Sequence, residues 1–278
     1  MTSAARAVLQ MEQYLDKTLP DKNDHRRWEN TYIQRQIETR KNGDGFSISD
    51  HIRGMVYAML SSGISWARVE QYINPETRQL PPIDEIFLDY DPSRLLRANP
   101  SDLYRKVLEL KCGSPQTGKQ MEALIHTNIP KLLQIEAEHG SIDAYDQELI
   151  QKDPSMKSLV AALAAAGRAY KMAQMAEALV CEYLRNVGYD LAKPDRHIRR
   201  ILGASALACS EKEVAPVYDA MAIVARLAEE LQKPCAEVDY ILWSYCAKGF
   251  GNVCTKCDPR CRECPAVLYC TRGRGLCS

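Results

Sequence analysis

The chain has 278 residues, more than a single domain of roughly 100–200 residues usually carries, so two domains are expected. Hydrophobic residues make up 46% and charged residues 26%, which supplies a sizeable core and excludes a disordered chain. The formal net charge is zero, so bulk charge points to no polyanionic partner; no apolar run reaches the roughly 20 residues of a membrane helix, and MTSAARAVLQMEQYLDK meets charge too early for a secretory leader, so a cytoplasmic, membrane-free protein is expected.

Apolar residues recur at spacings of three and four along most of the chain and strand-like alternation is lacking, so the expected fold class is all-α. A first helix is predicted over about 3–18, ending before Pro20, and a second over about 24–41, with Trp28, Tyr32, Ile33 and Ile37 on its apolar side. Asn42, Gly43, Asp44 and Gly45 close it as a turn. Ser47 and Ser49 offer capping oxygens for a helix over about 50–62. Further helices are predicted near 65–73, 83–89, 92–98, 101–111, 117–126, 129–139, 143–151 and 155–166, most of them bounded by Pro, Gly, Asn or Ser. Gly167 separates SMKSLVAALAAA from a helix over about 169–186, which breaks at Gly188 and Pro194. The chain restarts at Asp195, continues with a helix opened by a capping box of Ser210 and Glu213, and ends its helices with one over about 235–247.

Eleven cysteines are unevenly spread: Cys112, Cys181, Cys209, Cys235 and Cys246 are scattered, while Cys254, Cys257, Cys261, Cys264, Cys270 and Cys277 crowd the C-terminal segment. The scattered five read as small buried apolar side chains. In a reducing compartment the crowded six point to metal rather than to disulfides, because such a tail has too little apolar surface to fold without a staple. Spacing leaves two ligand sets open. Cys254, Cys261, Cys264 and Cys270, spaced C-x6-C-x2-C-x5-C, can wrap one compact cluster, and Cys254, Cys257, Cys261 and Cys264, two CxxC pairs, suit tetrahedral zinc. Lys248, Lys256, Arg260, Arg262, Arg272 and Arg274, against Asp258 and Glu263, make the tail a local basic patch.

The C-x6-C-x2-C-x5-C run resembles the cluster loop of the endonuclease III-like branch of helix-hairpin-helix DNA glycosylases. The resemblance implies a 4Fe-4S cluster on Cys254, Cys261, Cys264 and Cys270, with Cys257 and Cys277 as extra thiols and with Lys256 and Arg260 facing DNA phosphates. YLRNVGYDLAKPDRHIRRIL, residues 183–202, resembles the segment that carries the essential aspartate of this superfamily, especially in archaeal-type 8-oxoguanine glycosylases, and so implies Asp195 as the catalytic carboxylate. The chemistry agrees, since breaking an N-glycosidic bond builds positive charge on the sugar that an ionised carboxylate can stabilise. Asp195 also stands where a helix should begin, and on the residues alone a plain N-cap is the better reading. Arg196, His197, Arg199 and Arg200 beside it could meet phosphates or occupy a solvated helix face.

The chain departs from the family at its hairpin. Bifunctional members place a lysine after a glycine-rich hairpin, where its amine forms a Schiff base with the sugar. Matching AAAGRAYK to that hairpin puts Ala169 at the lysine position, while anchoring on LRNVGYD puts Ala178 there and Gln174 and Ala176 at the glycines. Lys171 remains a candidate nucleophile, and Gly167 and Arg168 are candidate DNA contacts. Ser61, Ser62 and Gly63 resemble the place of the residue that fills the gap left by a flipped base, and Trp66, Trp28 and Tyr32 could stack on a base.

The expectation is therefore a two-domain all-α glycosylase fold: a six-helix barrel over 47–188, and a cluster domain formed by 1–46 with 189–278. The chain would be a monomer that binds double-stranded DNA in a cleft with Asp195 at its base and hydrolyses a damaged or modified base without lyase activity. A non-catalytic lesion-sensing protein, a glycosylase/lyase using Lys171 and a small zinc protein are the alternatives.

Overall fold

A computed structural model describes residues 1–19, 21 and 24–277, the side chains of Leu276 and Cys277 excepted. The chain is all-α, with no strand among the described residues. Its helices are α1 (Ser3–Thr18), α2 (Tyr32–Lys41), α3 (Ile48–Leu60), α4 (Ala67–Glu70), α5 (Pro81–Ile86), α6 (Pro92–Leu95), α7 (Pro100–Glu109) and α8 (Thr117–Ala123). There follow α9 (Ile129–His139), α10 (Ile142–Lys152), α11 (Lys157–Ala164), α12 (Glu177–Asn186), α13 (Arg196–Ile201), α14 (Val217–Leu231), α15 (Cys235–Cys246) and α16 (Thr271–Cys277).

The chain folds into two compact units, one of Met1–Gln34 with Asp190–Ser278, the other of Arg35–Tyr189. The central unit begins ahead of residue 47 because Arg40 on α2 donates to the Val187 carbonyl at 2.8 Å and to Asp143 at 2.7 Å, and the Phe46 N–H donates to Asp143 at 2.8 Å. In this unit α3 packs on α12. Asn186 donates to the Gly54 carbonyl at 3.0 Å, and a Cβ on Gly54 would stand 3.0 Å from Val187, so a side chain there would push the helices apart. α3 itself starts at a reciprocal capping box of Ser47 and Asp50.

The unit that holds both chain ends is built on α1, α14 and α15. α1 buries Ala5, Val8, Met11 and Leu15 along one stripe, against a core with Val224, Leu227, Val238, Leu242 and Tyr245. That periodicity is the signal read in the sequence, and the stripe removes roughly 1.5–3 kcal/mol per large side chain from water.

Four sequence expectations are corrected. The second helix does not start near 24: Trp28–Asn30 is a 3-10 turn, and Thr31 is extended, its hydroxyl accepting from the Gln34 N–H at 3.2 Å to open α2. The helices predicted at 117–126 and 129–139 run together through a π turn, Leu124–Asn128, ahead of Pro130, whose missing N–H removes a rung of the usual ladder. The helix expected over 169–186 begins only at Glu177. No helix opens at Ser210, because Pro216 would fall inside it; Ser210 accepts from the Lys212 N–H at 3.2 Å in a loop, and α14 follows Pro216. Pro20, expected to stop α1, lies outside the described residues.

Candidate functional site

After α15 the segment 247–270 has only two 3-10 turns, Cys261–Glu263 and Val267–Tyr269. Arg260 shapes it from inside: its guanidinium donates to the Asn252 carbonyl at 3.0 Å, to the Gly251 carbonyl and to Glu263 at 3.1 Å. The Arg260 N–H closes the loop on the Val253 carbonyl at 2.9 Å, and the Thr271 N–H ties its far end to Ala206 at 2.8 Å. Arg260, expected to face phosphates, is thus engaged within its own loop, whereas Lys256 is exposed.

This path brings Cys254, Cys261, Cys264 and Cys270 to the wall of one cavity of about 60 Å³, with Arg200, Lys256 and Arg272 around it. Cys257 is exposed and does not line the cavity, so of the two ligand sets that spacing allows, the C-x6-C-x2-C-x5-C set converges. These cysteines are free thiols; the side chain of Cys277 lies outside the described residues. The Tyr245 hydroxyl donates to the Cys264 sulfur at 3.1 Å, and Arg200 Nη1 lies 3.7 Å from the Cys254 sulfur while it donates to the Thr255 carbonyl at 3.0 Å.

A hydrogen bond with Cys246 brings the Cys254 thiol down to about 6, helped by Arg200 and opposed by burial. The same bond, together with burial, pushes Cys246 up, and burial raises Cys261 and Cys264. Cys246 therefore does more than fill space, a role that its isolated position in the sequence did not signal.

Among the described residues no three His, Cys, Asp or Glu side chains converge tightly enough for a single metal ion. The four sulfurs ring a space rather than meeting at a point, and two of them receive N–H or O–H donors. Thiolates are soft ligands, and binding of a thiophilic metal group by such cysteines would displace the thiol protons.

α13 links this cavity to Asp195. At its start Asp195 Oδ1 accepts from the N–H groups of His197 at 2.7 Å and Ile198 at 3.1 Å, and at its other end stands Arg200. Neither capping bond uses Oδ2. The approach to Asp195 is fastened to α15: Asp190 accepts from the Cys235 and Ala236 N–H groups at 3.1 and 2.8 Å, and Asp239 accepts from the Lys193 N–H at 2.9 Å. Arg196 is exposed, whereas His197 is half-buried and burial holds its imidazole below the ordinary value against the pull of Asp195. Arg199 donates to the Ala215 carbonyl at 2.7 Å and so serves the fold.

Lys171, Gly167 and Arg168 belong to the other unit, in the segment between α11 and α12. That segment is a built loop. Asn128 of the π turn, fully buried, accepts from the Ala173 N–H at 2.7 Å and donates to its carbonyl at 3.1 Å, while Met172 and Met175 are buried. Gln174 between them takes φ +57°, the left-handed region that glycine favours. α12 then starts with Glu177 and Ala178. Gly167, at φ +80°, and Arg168 are exposed. The Lys171 amine donates to the Met172 carbonyl at 2.7 Å and to Met175 at 3.4 Å, which stiffens the loop and occupies the nitrogen. Ser61 donates to the Ala58 carbonyl at 2.7 Å, Trp66 is half-buried, and Trp28 packs on Tyr240 with ring centres 5.7 Å apart.

The sequence reading also missed a buried polar cluster in the central unit. His51, fully buried, lies 2.7 Å from the Tyr183 hydroxyl and 3.2 Å from Asp143, which also binds Arg40. Burial pushes Asp143 up, but the bonds from His51, Arg40 and the Phe46 N–H outweigh it and hold the carboxyl well below its usual range. Asp146 is buried with no hydrogen bond to either oxygen, and burial together with the charge of Asp143 pushes it up to about 8.

Comparison of the chain with protein-family models, with curated proteins and with solved structures gives no match in any of the three. Among the described residues no helix is long and apolar enough to cross a membrane.

Proposed function

We propose that the chain is a DNA glycosylase of the helix-hairpin-helix kind that carries a 4Fe-4S cluster and hydrolyses the N-glycosidic bond of a damaged or modified base in double-stranded DNA. The observation that carries the reading is the meeting of Cys254, Cys261, Cys264 and Cys270 around one cavity, with Cys257 outside it. The bound cluster would supply a rigid centre that shapes the loop 247–270, whose exposed cations Lys256, Arg262 and Arg272 are placed to neutralise phosphates.

Asp195 is the catalytic residue in this reading. Its Oδ1 is held by two backbone N–H groups at a helix start, which fixes the direction of the carboxylate. Oδ2 then orients a water for attack on the sugar carbon and accepts its proton as the base departs with the bonding electron pair. The half-buried, uncharged His197 beside it adds no positive charge where positive charge develops on the sugar. Hydrolysis rather than lyase chemistry is favoured because Ala178, in the first turn of α12, stands at the lysine position of the second register and the Lys171 nitrogen is engaged by two carbonyls.

The test is base release from a panel of lesion-containing duplexes by anaerobically prepared protein, with iron and sulfide measured on the same sample. Iron-loaded protein should release at least one base, and Asp195→Asn should remove that activity while keeping its iron. Unchanged release by that variant would reject Asp195. A second reading, a lesion-binding protein without turnover, is favoured by the missing lysine after the hairpin, where the two registers put Ala169 and Ala178. It predicts binding to damaged duplexes with no base released from any of them.

A further inference from the structure

Two of the side-chain donors at the sulfurs lining the cavity, Tyr245 and Arg200, come from helices outside the cysteine loop. Tyr245, on α15, places its hydroxyl 3.1 Å from the Cys264 sulfur and is buried, with its ring edge-on to Tyr14 at 5.7 Å, so the hydroxyl has a fixed direction. Arg200, on α13, places Nη1 3.7 Å from the Cys254 sulfur and is anchored there by the carbonyls of Thr255 and Cys254. One is a neutral donor and the other a cation, and they act on different sulfurs.

We infer that Tyr245 and Arg200 are positioning residues that set the reduction potential of the group held by Cys254, Cys261, Cys264 and Cys270. The inference rests on the iron-sulfur reading above. Reduction adds one electron, and its charge spreads onto the thiolate sulfurs. A hydrogen bond or a fixed positive charge at a sulfur therefore stabilises the reduced form more than the oxidised one, and raises the potential. Neither residue is a ligand, so assembly should survive their replacement while the electronic balance shifts. Arg200 also shares α13 with Asp195, so the residue that tunes the cluster belongs to the element that presents the carboxylate.

The experiment is a redox titration of the full chain, prepared anaerobically and followed by electron paramagnetic resonance of the reduced cluster, with iron and sulfide determined on each sample. The variants are Tyr245→Phe, Arg200→Gln and Arg200→Lys. Tyr245→Phe and Arg200→Gln should keep their iron and weaken electron uptake about tenfold each, a midpoint lower by about 59 mV for a one-electron couple. Arg200→Lys, which keeps the charge, should lie between Arg200→Gln and the parent. Fully loaded variants with the parent's midpoint would overturn the inference and leave the iron-sulfur reading standing. A parent protein free of iron would overturn both. A Tyr245→Phe protein that cannot hold iron would overturn tuning by Tyr245, since that residue would then be needed for assembly, and the two Arg200 variants decide tuning by Arg200.

Discussion

Two groups of interior polar side chains among the described residues are finished differently. In the central unit His51, Tyr183, Asp143 and Arg40 meet one another: each buried nitrogen or oxygen in that chain finds a partner of opposite character, and Arg40 is roofed by the rings of Tyr189 at 4.0 Å and Phe46 at 4.6 Å. Around the cysteine cavity two donors meet sulfurs that line a cavity. The first cluster bonds to itself and joins helices, while the second borders an open space. Buried polarity by itself is therefore a poor guide to function, and unspent ligating capacity is a better one.

The contrast can be broken most severely at the sulfurs. Cys264→Ser should lower iron to background and abolish hydrogen-exchange protection in 248–270, with α3 and α12 unaffected, as read by mass spectrometry. Loss of protection throughout the chain would show that the cavity is as structural as the other cluster. Asp143→Ala tests the opposite pole. It strips the acceptor from Arg40, His51 and the Phe46 N–H, and stability should fall by about 3–5 kcal/mol in urea unfolding while iron content holds.

Asp146 sharpens the comparison, because it is the member of the central cluster left without a hydrogen bond. Its folded value of about 8 lies above the ordinary 3.8, so the folded protein keeps a proton that the unfolded chain gives up. The stabilising contribution is complete below about pH 4 and is lost as pH rises to about 8. Thermal midpoints of the parent should decline across that window, and Asp146→Asn should flatten the decline. An equally steep variant would remove Asp146 as the cause. The smallest effect is expected where backbone rather than side chains holds the segment: Gln174→Gly relieves the positive φ and should stabilise by roughly 0.5–1 kcal/mol in the same assay.

The two clusters also differ in how far the sequence announces them. The four cysteines fall within one short stretch, so their spacing alone restricts the ligand sets to two, and the fold leaves Cys257 exposed, outside the cavity that the other four line. His51, Asp143 and Tyr183 are far apart in sequence, each reads as an ordinary helical residue, and only the packing of α3, α10 and α12 makes them neighbours. α1 was legible to the residue because its apolar stripe repeats at helical spacing over its whole length. The loop before α12 was not, since AYKMAQMA has helical composition, and it is overruled by Asn128 reaching in from the π turn. Asp195 was placed by its neighbours in the sequence. That its approach hangs on Asp190 and Asp239 was hidden, because both contacts depend on where α15 lies.

That suspension makes α15 intolerant of a change in length. Its first turn is capped by Asp190, a turn further on it grips the backbone of Lys193, and its last residues, Tyr245 and Cys246, bear on the sulfurs of Cys264 and Cys254. A residue inserted between Asp239 and Tyr245 would rotate everything beyond it by about 100° and advance it by about 1.5 Å. The aspartate loop would keep its anchorage and the sulfurs would lose theirs, so the phase of this one helix is the gauge that sets the carboxylate and the thiolates in step.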